Sequence, residues 1–554
     1  MNKSLCLILF FITCLLNNNS FSQVTQEWVA YYNGPGNSND GPNSMVLDDS
    51  GNVFVAGESG GLFTGFMSVV KYNPAGIEQW TARYYSNGSI GAGAYSMKTD
   101  HLGNVYVTGT ACTGSGSEQD IVTIKYDRNG TQLMLAVYHT QNASSIGSCI
   151  AIDGALNIYV TGTCNMNSDS SDIITIKYNP LGVQQWVQIY NGPTGNLDFG
   201  SRILVDRDGS IYVKGTSWVT PMFFEYVIIK YNNSGVRQWI IRQFGSDNTS
   251  NSRGGLALDR TGNVYLAACS GAAGMQCYLT AKYNSSGNIV WMSIYNAGGI
   301  PSQSETSDIV LDSSDNVYVT GYTWSPGIPD SQGCTTIKYN SAGVRQWKQV
   351  FNGNNYTAGG IKMAIDNDRN IYVTGGVDNG GQAGYDYFTI KYDSSGTQKW
   401  LKFYNGPGGN TDMPTNIVAD NLKNVYVTGW GSGPSSASDF ATVKYSQPIG
   451  VEPIVSEVPN RFSLSQNYPN PFNPATTINY ELPEAGYVRL VVYDILGREI
   501  AVLVNQKLAA GKYKAQWNAN DYPSGVYFCK LAVSGAEPLI TENYTATIKL
   551  ILLK

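Results

Sequence analysis

A repeated motif constrains the fold of this chain more than any other feature. An Asp followed after a short gap by Asn-Val-Tyr-Val-Thr-Gly, or by a close variant, occurs eight times. Successive copies lie 52 to 54 residues apart and begin at Asp48, Asp100, Asp153, Asp206, Asp259, Asp312, Asp366 and Asp420. A fixed period indicates a repeat architecture, in which each unit buries its apolar faces against its neighbours. We therefore expect an array of eight similar units.

Each unit contains four short segments with the β-branched and aromatic content of strands. In the first unit these strands are predicted at 44–48, 52–57, 67–73 and 77–85. A second motif, Lys-Tyr-Asn/Asp-x-x-Gly-x-x-x-Trp, spans the last two strands, and its copies begin at Lys71, Lys125, Lys177, Lys230, Lys282, Lys338, Lys391 and Lys444. The 61 Gly residues and the charged fraction of only 14% favour short strands and tight turns over helices. Eight such units predict an all-β, eight-bladed β-propeller.

The two ends of the repeat region indicate that the array closes into a ring. The last unit stops at Tyr445 without its Trp strand, whereas an isolated Trp strand at 26–32 precedes the first unit. Pairing of this strand with the eighth unit would complete that unit and leave no unpaired sheet edge. An open solenoid has no use for this arrangement. We therefore predict a propeller closed by its N-terminal strand.

The same motifs resemble SBBP, a bacterial β-propeller repeat family. Its units read Asp-x-x-Gly-Asn-x-Tyr-Val-x-Gly, followed by a Lys-Tyr/Leu-Asp/Asn-x-x-Gly-x-x-x-Trp hairpin, and the resemblance covers residues 26–445. The chain departs from this pattern at Leu133-Met134, where Trp is missing, at Ser210, which replaces Asn, and at Ala268, which replaces Gly. The resemblance implies propeller blades, and the departures concern local packing.

The first residues read as an export signal. Lys3 supplies a short basic segment, residues 5–16 are largely apolar, and Ser20-Phe21-Ser22 forms a small-x-small site. We expect a signal peptide over 1–22, cleaved between Ser22 and Gln23, and a propeller over 23–445. The alternative, a membrane-spanning helix, needs about 20 apolar residues, more than this run offers. No transmembrane helix is expected in the mature protein.

A different kind of sequence follows the repeats. A Pro-containing linker is predicted over 446–461, and about seven strand-like runs over 462–554 suggest a small Ig-like β-sandwich. This segment resembles the type A C-terminal sorting domain of proteins exported by the type IX secretion system. The matching motifs are Tyr468-Pro469-Asn470-Pro471-Phe472-Asn473-Pro474, Val492-Tyr493-Asp494-Ile495-Leu496-Gly497-Arg498, Ser524-Gly525-Val526-Tyr527 and Lys549-Leu550-Ile551-Leu552-Leu553-Lys554.

This second resemblance implies a cellular location and interaction partners. It implies recognition of the tail by the type IX secretion machinery at the outer membrane and removal of the tail by the associated sortase. The propeller would then be released or attached to surface lipopolysaccharide. The expected sorting residues are Pro469, Asn470, Pro471, Gly497, Arg498, Lys549 and Lys554. A plain stalk domain is the alternative interpretation.

Charge and metal-ligand content argue against several other functions. The formal net charge is −6 and no Lys/Arg run stands out, so neither nucleic acid nor an anionic membrane is an expected partner. With only His101 and His139 and no C-x-x-C motif, we predict no metal site and no cofactor. The odd number of cysteines outside the signal leaves at least one without an intrachain partner, although Cys269 and Cys277 could close a local bridge.

Loop lengths direct attention to one face of the propeller. The turns after the first and third strands are short, so the longer loops lie together on the opposite face, where function is expected. Three Trp residues fall just after a second strand, where the repeat does not require them. With Tyr322 they are the candidate ligand-binding residues: Trp218, Tyr322, Trp324 and Trp430. Filling of gaps between loops is the alternative, and packing is the role expected of the Trp residues that recur in fourth strands.

Recurrent carboxylates keep an enzymatic function open. Asp120, Asp172, Asp386 and Asp439 begin third strands, whereas Asp308 belongs to a first strand. Hydrogen bonding to neighbouring loops is one explanation, and glycoside chemistry with two carboxylates is the other. No pair stands out, so catalytic residues stay unassigned. The leading hypothesis is a non-catalytic module that binds an extracellular glycan or protein. The alternatives are a secreted polysaccharide hydrolase or lyase and a spacer for surface display.

Overall fold

The computed structural model describes residues 24–553 apart from 61–64, 88–90, 115–117, 141–142, 168–169, 221–222, 246–253, 272–274, 299–301, 326–331, 354–357, 379–383, 434–437, 448–458, 509, 520–521 and 536–543. The predicted cleavage site at Ser22 and Gln23, the sorting residue Lys554 and most of the predicted linker lie outside the described residues. One compact unit is Gln26–Ser446, and a second contains Gln447–Lys554. Secondary structure in the described part is all β, and no helix there is long and apolar enough to cross a membrane. The all-β prediction is confirmed.

Eight four-stranded antiparallel sheets make up the first unit, as far as the chain is described. Seven of them contain four strands that are consecutive in sequence. Sheet 1 contains β2 (Asp40–Leu47), β3 (Val53–Ser59), β4 (Phe66–Tyr72) and β5 (Glu78–Tyr85); sheet 2 contains β6 (Gly93–Thr99), β7 (Val105–Ala111), β8 (Asp120–Tyr126) and β9 (Gln132–Tyr138); sheet 3 contains β10 (Ser145–Ile152), β11 (Ile158–Asn167), β12 (Ser170–Tyr178) and β13 (Gln184–Tyr190); sheet 4 contains β14 (Asp198–Val205), β15 (Ile211–Thr220), β16 (Phe223–Tyr231) and β17 (Arg237–Phe244).

The remaining sheets follow the same order, except for the last. Sheet 5 contains β18 (Leu256–Leu258), β19 (Val264–Ser270), β20 (Cys277–Tyr283) and β21 (Ile289–Tyr295); sheet 6 contains β22 (Gln303–Leu311), β23 (Val317–Trp324), β24 (Gly333–Tyr339) and β25 (Arg345–Phe351); sheet 7 contains β26 (Ala358–Ile365), β27 (Ile371–Asp378), β28 (Tyr385–Tyr392) and β29 (Gln398–Tyr404); sheet 8 contains β30 (Met413–Ala419), β31 (Val425–Gly431), β32 (Asp439–Ser446) and β1 (Thr25–Tyr32). In sheet 8 the fourth place belongs to β1, beside β32. First strands of successive sheets contact one another, and β30 also contacts β2.

The repeated Asp residue shapes the turn between the first and second strands. In sheet 2, Asp100 Oδ1 accepts hydrogen bonds from the backbone N–H groups of Leu102 and Asn104, both at 2.9 Å. Its Oδ2 accepts from Asn104 Nδ2 at 2.8 Å and from the buried Tyr106 hydroxyl at 3.0 Å. Gly103 completes this turn at φ 78°, a conformation that glycine adopts without strain. The motif residues Asp, Asn and Tyr are therefore parts of one hydrogen-bonded turn.

The repeated Lys and Trp residues join each sheet to the next one. Trp80, in the fourth strand of sheet 1, donates from Nε1 to Arg128 O at 3.0 Å, in the third-to-fourth turn of sheet 2. Lys71 Nζ donates to the same oxygen at 2.8 Å. Trp indole groups at the equivalent position make the same contact in sheets 3 to 6: Trp186, Trp239, Trp291 and Trp347. The predicted packing role of these residues is confirmed.

The contact between sheet 8 and sheet 1 repeats this arrangement. Trp28 of β1 donates from Nε1 to Pro74 O at 3.0 Å, and Lys444 of β32 donates to the same oxygen at 3.1 Å. Gly76, in the same turn, leaves room for the Trp28 ring, which a Cβ atom there would meet at 2.5 Å. Chemically, this seam matches the seams between sheets that are consecutive in sequence.

The C-terminal unit consists of two antiparallel sheets with a shared apolar core. One sheet has the order β33-β34-β37 and the other β36-β35-β38-β39. Their strands are β33 (Ser463–Leu464), β34 (Ala475–Leu482), β35 (Gly486–Tyr493), β36 (Glu499–Leu508), β37 (Gly511–Asn518), β38 (Gly525–Ser534) and β39 (Tyr544–Leu552). Side chains of both sheets, including Tyr480, Trp517, Leu490 and Leu531, meet in one buried cluster.

Candidate binding site on the loop face

The short turns of the first unit define one face, and the longer loops define the opposite one. We call the latter the loop face: it carries the second-to-third and fourth-to-first connections of the sheets. Strand direction places the start of each first and third strand there. The predicted positions of Asp120, Asp172, Asp386 and Asp439 near the start of third strands are confirmed, and all four side chains are buried.

Three buried aspartates hold the Asn-Gly-Pro loops of this face. Asp40 Oδ2 accepts from Gly34 N at 2.6 Å, Asp198 Oδ2 from Gly192 N at 2.5 Å, and Asp412 Oδ2 from Gly406 N at 2.7 Å. Burial raises the pKa of each carboxyl group, although these hydrogen bonds oppose the shift. Each aspartate therefore holds a loop in place, although burial disfavours its charged form.

The four predicted ligand-binding residues lie on three different sheets. Trp218 is in sheet 4, Tyr322 and Trp324 are in sheet 6, and Trp430 is in sheet 8, each at the loop-face end of a second strand. All four are partly buried. The Trp218 ring packs on Phe224, with centroids 6.0 Å apart. The predicted residues are therefore distributed over non-adjacent sheets.

The rim of sheet 4 exposes apolar side chains that the sequence analysis missed. Exposed fractions are 66% for Phe244, 50% for Phe223, 42% for Leu197 and 36% for Phe199. With Trp218 they form what we call the sheet 4 rim. Phe199 lies on the same face of sheet 4 as Trp218, and this face packs against sheet 5. Phe244 pairs with Glu225 and lies on the opposite face. Phe244 occupies a position that is Asn in sheets 3, 5, 6 and 7, and this substitution was the available signal.

Polar groups border the sheet 4 rim. Thr194 Oγ1 donates to Trp218 O at 2.8 Å, and Asn196 Nδ2 donates to Thr194 Oγ1 at 2.9 Å. Trp218 N donates to Leu197 O at 3.0 Å, so this loop is held against the second strand. Exposed rings beside amide and hydroxyl groups suit ligands that have both apolar faces and hydrogen-bonding edges.

A histidine–carboxylate pair lies on the loop face of sheet 2. His139 Nδ1 lies 2.6 Å from Asp120 Oδ1, and the imidazole is 61% exposed while the carboxylate is buried. Thr113 donates to the other Asp120 oxygen. Burial, followed by the Asp120 charge, raises the pKa of the nearby Tyr84. A carboxylate at Nδ1 leaves Nε2 free for proton transfer, so this pair has the form of a general base.

The described residues contain no group of three His, Cys, Asp or Glu side chains that could hold a metal ion. The seven cysteines outside the predicted signal are all buried and free: Cys112, Cys149, Cys164, Cys269, Cys277, Cys334 and Cys529. The possible bridge between Cys269 and Cys277 is therefore absent from the structure.

The predicted sorting residues form two groups in the C-terminal unit. Asn470 Nδ2 donates to Lys549 O at 3.1 Å, and Asn470 Oδ1 accepts from Ile551 N at 2.9 Å, so the segment with Pro469 and Pro471 is bound to β39. Gly497 and Arg498 belong to a separate turn, in which Arg498 Nε donates to Asp494 Oδ2 at 2.6 Å.

Comparison with protein families identifies both parts of the chain. The β-propeller repeat family SBBP matches residues 27–64, 185–221 and 294–328, and the secretion system C-terminal sorting domain matches residues 466–541. The chain is thus a β-propeller repeat protein with a sorting tail. More specifically, it carries SBBP repeats and a type IX sorting domain, which directs export to the cell surface or the extracellular space.

Individual proteins are similar at lower levels. An uncharacterized WD repeat-containing protein, L264, of Acanthamoeba polyphaga mimivirus is 26% identical over 377 residues, which cover 55% of this chain and 25% of that protein. The chain therefore spans about a quarter of that relative's length. The β-propeller domain of the Trilobed protease from Pyrococcus furiosus has a TM-score of 0.38 at 8% identity, covering 64% of this chain and 95% of the other. Polysaccharide lyase Uly1 has a TM-score of 0.38 at 10% identity, covering 64% and 89%.

Proposed function

We propose that sheets 1 to 8 are the blades of a closed eight-bladed propeller extending over 23–445. The placement of β1 beside β32 supports closure, because the N-terminal strand then completes the last blade. The Trp28–Pro74 bond supports it further, because it repeats the Trp80–Arg128 bond between consecutive blades. Asp40 N also donates to Ser438 O at 2.9 Å across this seam.

The propeller functions as a non-catalytic module that binds an extracellular glycan through its loop face. The observation that carries this proposal is the sheet 4 rim, which exposes four large apolar side chains and where Thr194 and Asn196 bond the backbone at Trp218 and Val219. Aromatic rings contribute large contact areas with little loss of side-chain entropy, and they suit the apolar faces of sugars. A protein ligand is the other occupant considered, and the binding assay separates the two.

Binding is tested with the mature protein on a glycan panel and on immobilised matrix proteins. Replacement of Trp218 by Ala is expected to weaken glycan binding at least tenfold, and replacement of Tyr322, Trp324 or Trp430 tests the other predicted positions. Trp239→Ala is the matched control, because Trp239 packs at a seam between blades. Undiminished binding by all four loop-face variants would refute the proposal, and binding only to proteins would favour a protein ligand.

A secreted polysaccharide hydrolase or lyase is the second candidate. Its supporting observation is the His139–Asp120 pair, which holds an exposed imidazole in one orientation near Tyr84. Turnover on an acidic or neutral glycan panel that disappears in His139→Gln would establish this activity. Absence of turnover across the panel would exclude this activity and leave binding as the proposed function.

The segment 462–554 acts as a small Ig-like sorting domain after a linker over 446–461. The two-sheet core supports a sandwich, and the contacts of Asn470 with β39 connect two predicted sorting motifs. A sortase removes this domain, and the propeller is released or attached to lipopolysaccharide. The test is export of a chain that lacks 545–554, which is expected to stay inside the cell envelope; surface display of this truncated chain would refute the sorting role.

A further inference from the structure

Sheets 1 and 2 are joined at the loop-face ends of their strands. Asn43, the extra residue of a β-bulge in β2, donates from Nδ2 to Ala94 O at 3.0 Å. Ala92 N, just before β6, donates to Gly65 O, just before β4, at 2.8 Å. Tyr95 follows Ala94 and is itself the extra residue of a bulge in β6. These two hydrogen bonds hold the start of β6 against sheet 1.

A carboxylate and a phenol converge at this seam. Glu58 lies near the end of β3 and is paired with Gly41 of β2. A Cβ atom at Gly93, the first residue of β6, would lie 3.3 Å from Tyr95 Oη and 3.5 Å from Glu58 Oε2. The two side chains therefore reach the same point, although they belong to different sheets. Glycine at position 93 leaves room between them.

The Glu58 carboxylate has no partner of opposite charge in the described ranges. It makes no ion pair and no hydrogen bond there, and burial alone raises its pKa. Burial, followed by the charge of Glu58, raises the pKa of Tyr95, so this residue stays a neutral phenol. Both side chains are partly exposed, so solutes can reach them. A half-buried carboxylate without a cation attracts a cationic ligand group more strongly than a fully hydrated one does.

Open space and a further acceptor lie beside this pair. A Cβ atom at Gly41 would have no other atom within 4 Å. Paired residues of neighbouring strands direct their side chains to the same face of a sheet, so this space lies on the face of Glu58. Asn43 follows two residues along β2; its Nδ2 bonds Ala94 O, and its Oδ1 is an acceptor. Of these polar side chains only Glu58 is charged, and its charge is negative.

We propose that Asn43, Glu58 and Tyr95 bind a free amino sugar, through its ammonium group and the hydroxyl groups beside it. The Glu58 carboxylate accepts a charge-assisted hydrogen bond from the ammonium group, and the Tyr95 ring adds a cation–π contact. Tyr95 Oη and Asn43 Oδ1 bond the adjacent hydroxyl groups, which a Lys side chain with its aliphatic stem lacks. The site belongs to sheets 1 and 2 and does not depend on the sheet 4 rim.

Titration calorimetry on the mature protein tests the site with methyl glucosaminide, methyl N-acetylglucosaminide and methyl glucoside, which differ at one carbon, with the amine protonated. The first should bind about tenfold more tightly than the others, because only it carries a cation. Glu58→Gln, which keeps the side-chain shape and removes its charge, should abolish this preference. Glu118→Gln is the matched control, because Glu118 is exposed on the loop face of sheet 2. Tighter binding of Nα-acetyl-lysine methyl amide than of methyl glucosaminide would overturn the assignment to an amino sugar.

Gly93→Ala tests the geometry without changing any charge. Its φ lies outside the left-handed region, and the nearest atoms to the added methyl group are the ends of the Tyr95 and Glu58 side chains. The fold should therefore be kept, while the methyl group fills the space between the two oxygens and weakens methyl glucosaminide binding severalfold. Trp218→Ala should leave this binding unchanged; its loss there would assign the binding to the sheet 4 rim. Equal affinities for the three sugars, or an affinity unchanged by both Glu58→Gln and Gly93→Ala, would overturn the proposal.

Discussion

The indole Nε1 of Trp28 donates a hydrogen bond of 3.0 Å to the carbonyl oxygen of Pro74. The first of these residues belongs to the strand that completes sheet 8, and the second belongs to a turn of sheet 1. Trp80 and Arg128 make the same bond, also at 3.0 Å, between sheets 1 and 2. The same type of hydrogen bond therefore joins consecutive repeats to each other and joins the last repeat to the first.

Replacement of Trp28 by Ala should destabilise the propeller about as much as replacement of Trp80. Each change removes one indole hydrogen bond and the packing of a large ring, for a loss of roughly 3 kcal/mol. Urea unfolding monitored by circular dichroism measures both losses. A much smaller loss for Trp28→Ala than for Trp80→Ala would contradict closure through this seam.

Replacement of Asp100 by Asn should reduce stability at neutral pH, with a loss of roughly 1–2 kcal/mol. Burial opposes ionisation of Asp100, but hydrogen bonds from Asn104, Tyr106 and Leu102 prevail and hold its pKa below the usual value. Its contribution is therefore present above the unfolded pKa and is lost as the pH falls through the folded pKa. Urea unfolding of both proteins between pH 7 and pH 3 should show the difference shrinking on acidification. Asp49→Asn, in an exposed turn position, serves as the control.

Asp198 should show the opposite pH dependence. Burial raises the pKa of this carboxyl group, so the folded protein binds the proton more tightly than the unfolded chain does. The free energy of unfolding, measured relative to Asp198→Asn, should rise as the pH falls from 7 through the folded pKa, and it should level off below the unfolded pKa. Asp208→Asn, in an exposed turn of the same sheet, serves as the control. A relative stability that falls on acidification would contradict the role assigned to burial.

Replacement of both Phe223 and Phe244 by Ser should weaken ligand binding at least tenfold while changing stability little. Both side chains are at least half exposed, so their truncation removes contact area for a ligand rather than core packing. Binding to the glycan panel and thermal unfolding are measured together. Ile77→Ser is the control, because Ile77 is 61% exposed on the face of the short turns. Equal binding by the Phe variant and the parent would exclude the sheet 4 rim as the ligand site.

Replacement of Asn470 by Ala should impair export more than replacement of Arg498 impairs it. The Asn470 side chain bonds both Lys549 O and Ile551 N, whereas Arg498 pairs only within its own turn. The measurement is the fraction of each full-length variant that is displayed on the cell surface. Normal surface display of Asn470→Ala would show that this contact is dispensable for sorting.

Local chemistry made much of the fold predictable. The Asp100 turn follows from residues within six positions of one another, and such short-range patterns are visible in any single repeat. The role of Trp28 was predictable because the repeat region has an extra Trp strand at its start and lacks one at its end. Even the start of the first strand was displaced, however, since β2 begins at Asp40 rather than at 44.

The candidate site was harder to predict, because exposure and long-range proximity depend on the assembled sheets. Phe244 stands where most repeats have Asn, and nothing local shows that its ring is exposed. Trp218, conversely, stands out in the sequence by its irregular position, and its ring packs on Phe224.

The reactivity of the buried free cysteines can report local unfolding of the strands that surround them. They occur just after β7, in sheets 3, 5 and 6 and in β38 of the tail, and none is joined to another. A thiol reagent can reach each sulfur only when the strands around it separate, and burial raises the pKa of Cys334 to about 11, which further slows reaction of the closed form. Mass spectrometry of timed labelling would therefore resolve which blades open first, without any engineered probe.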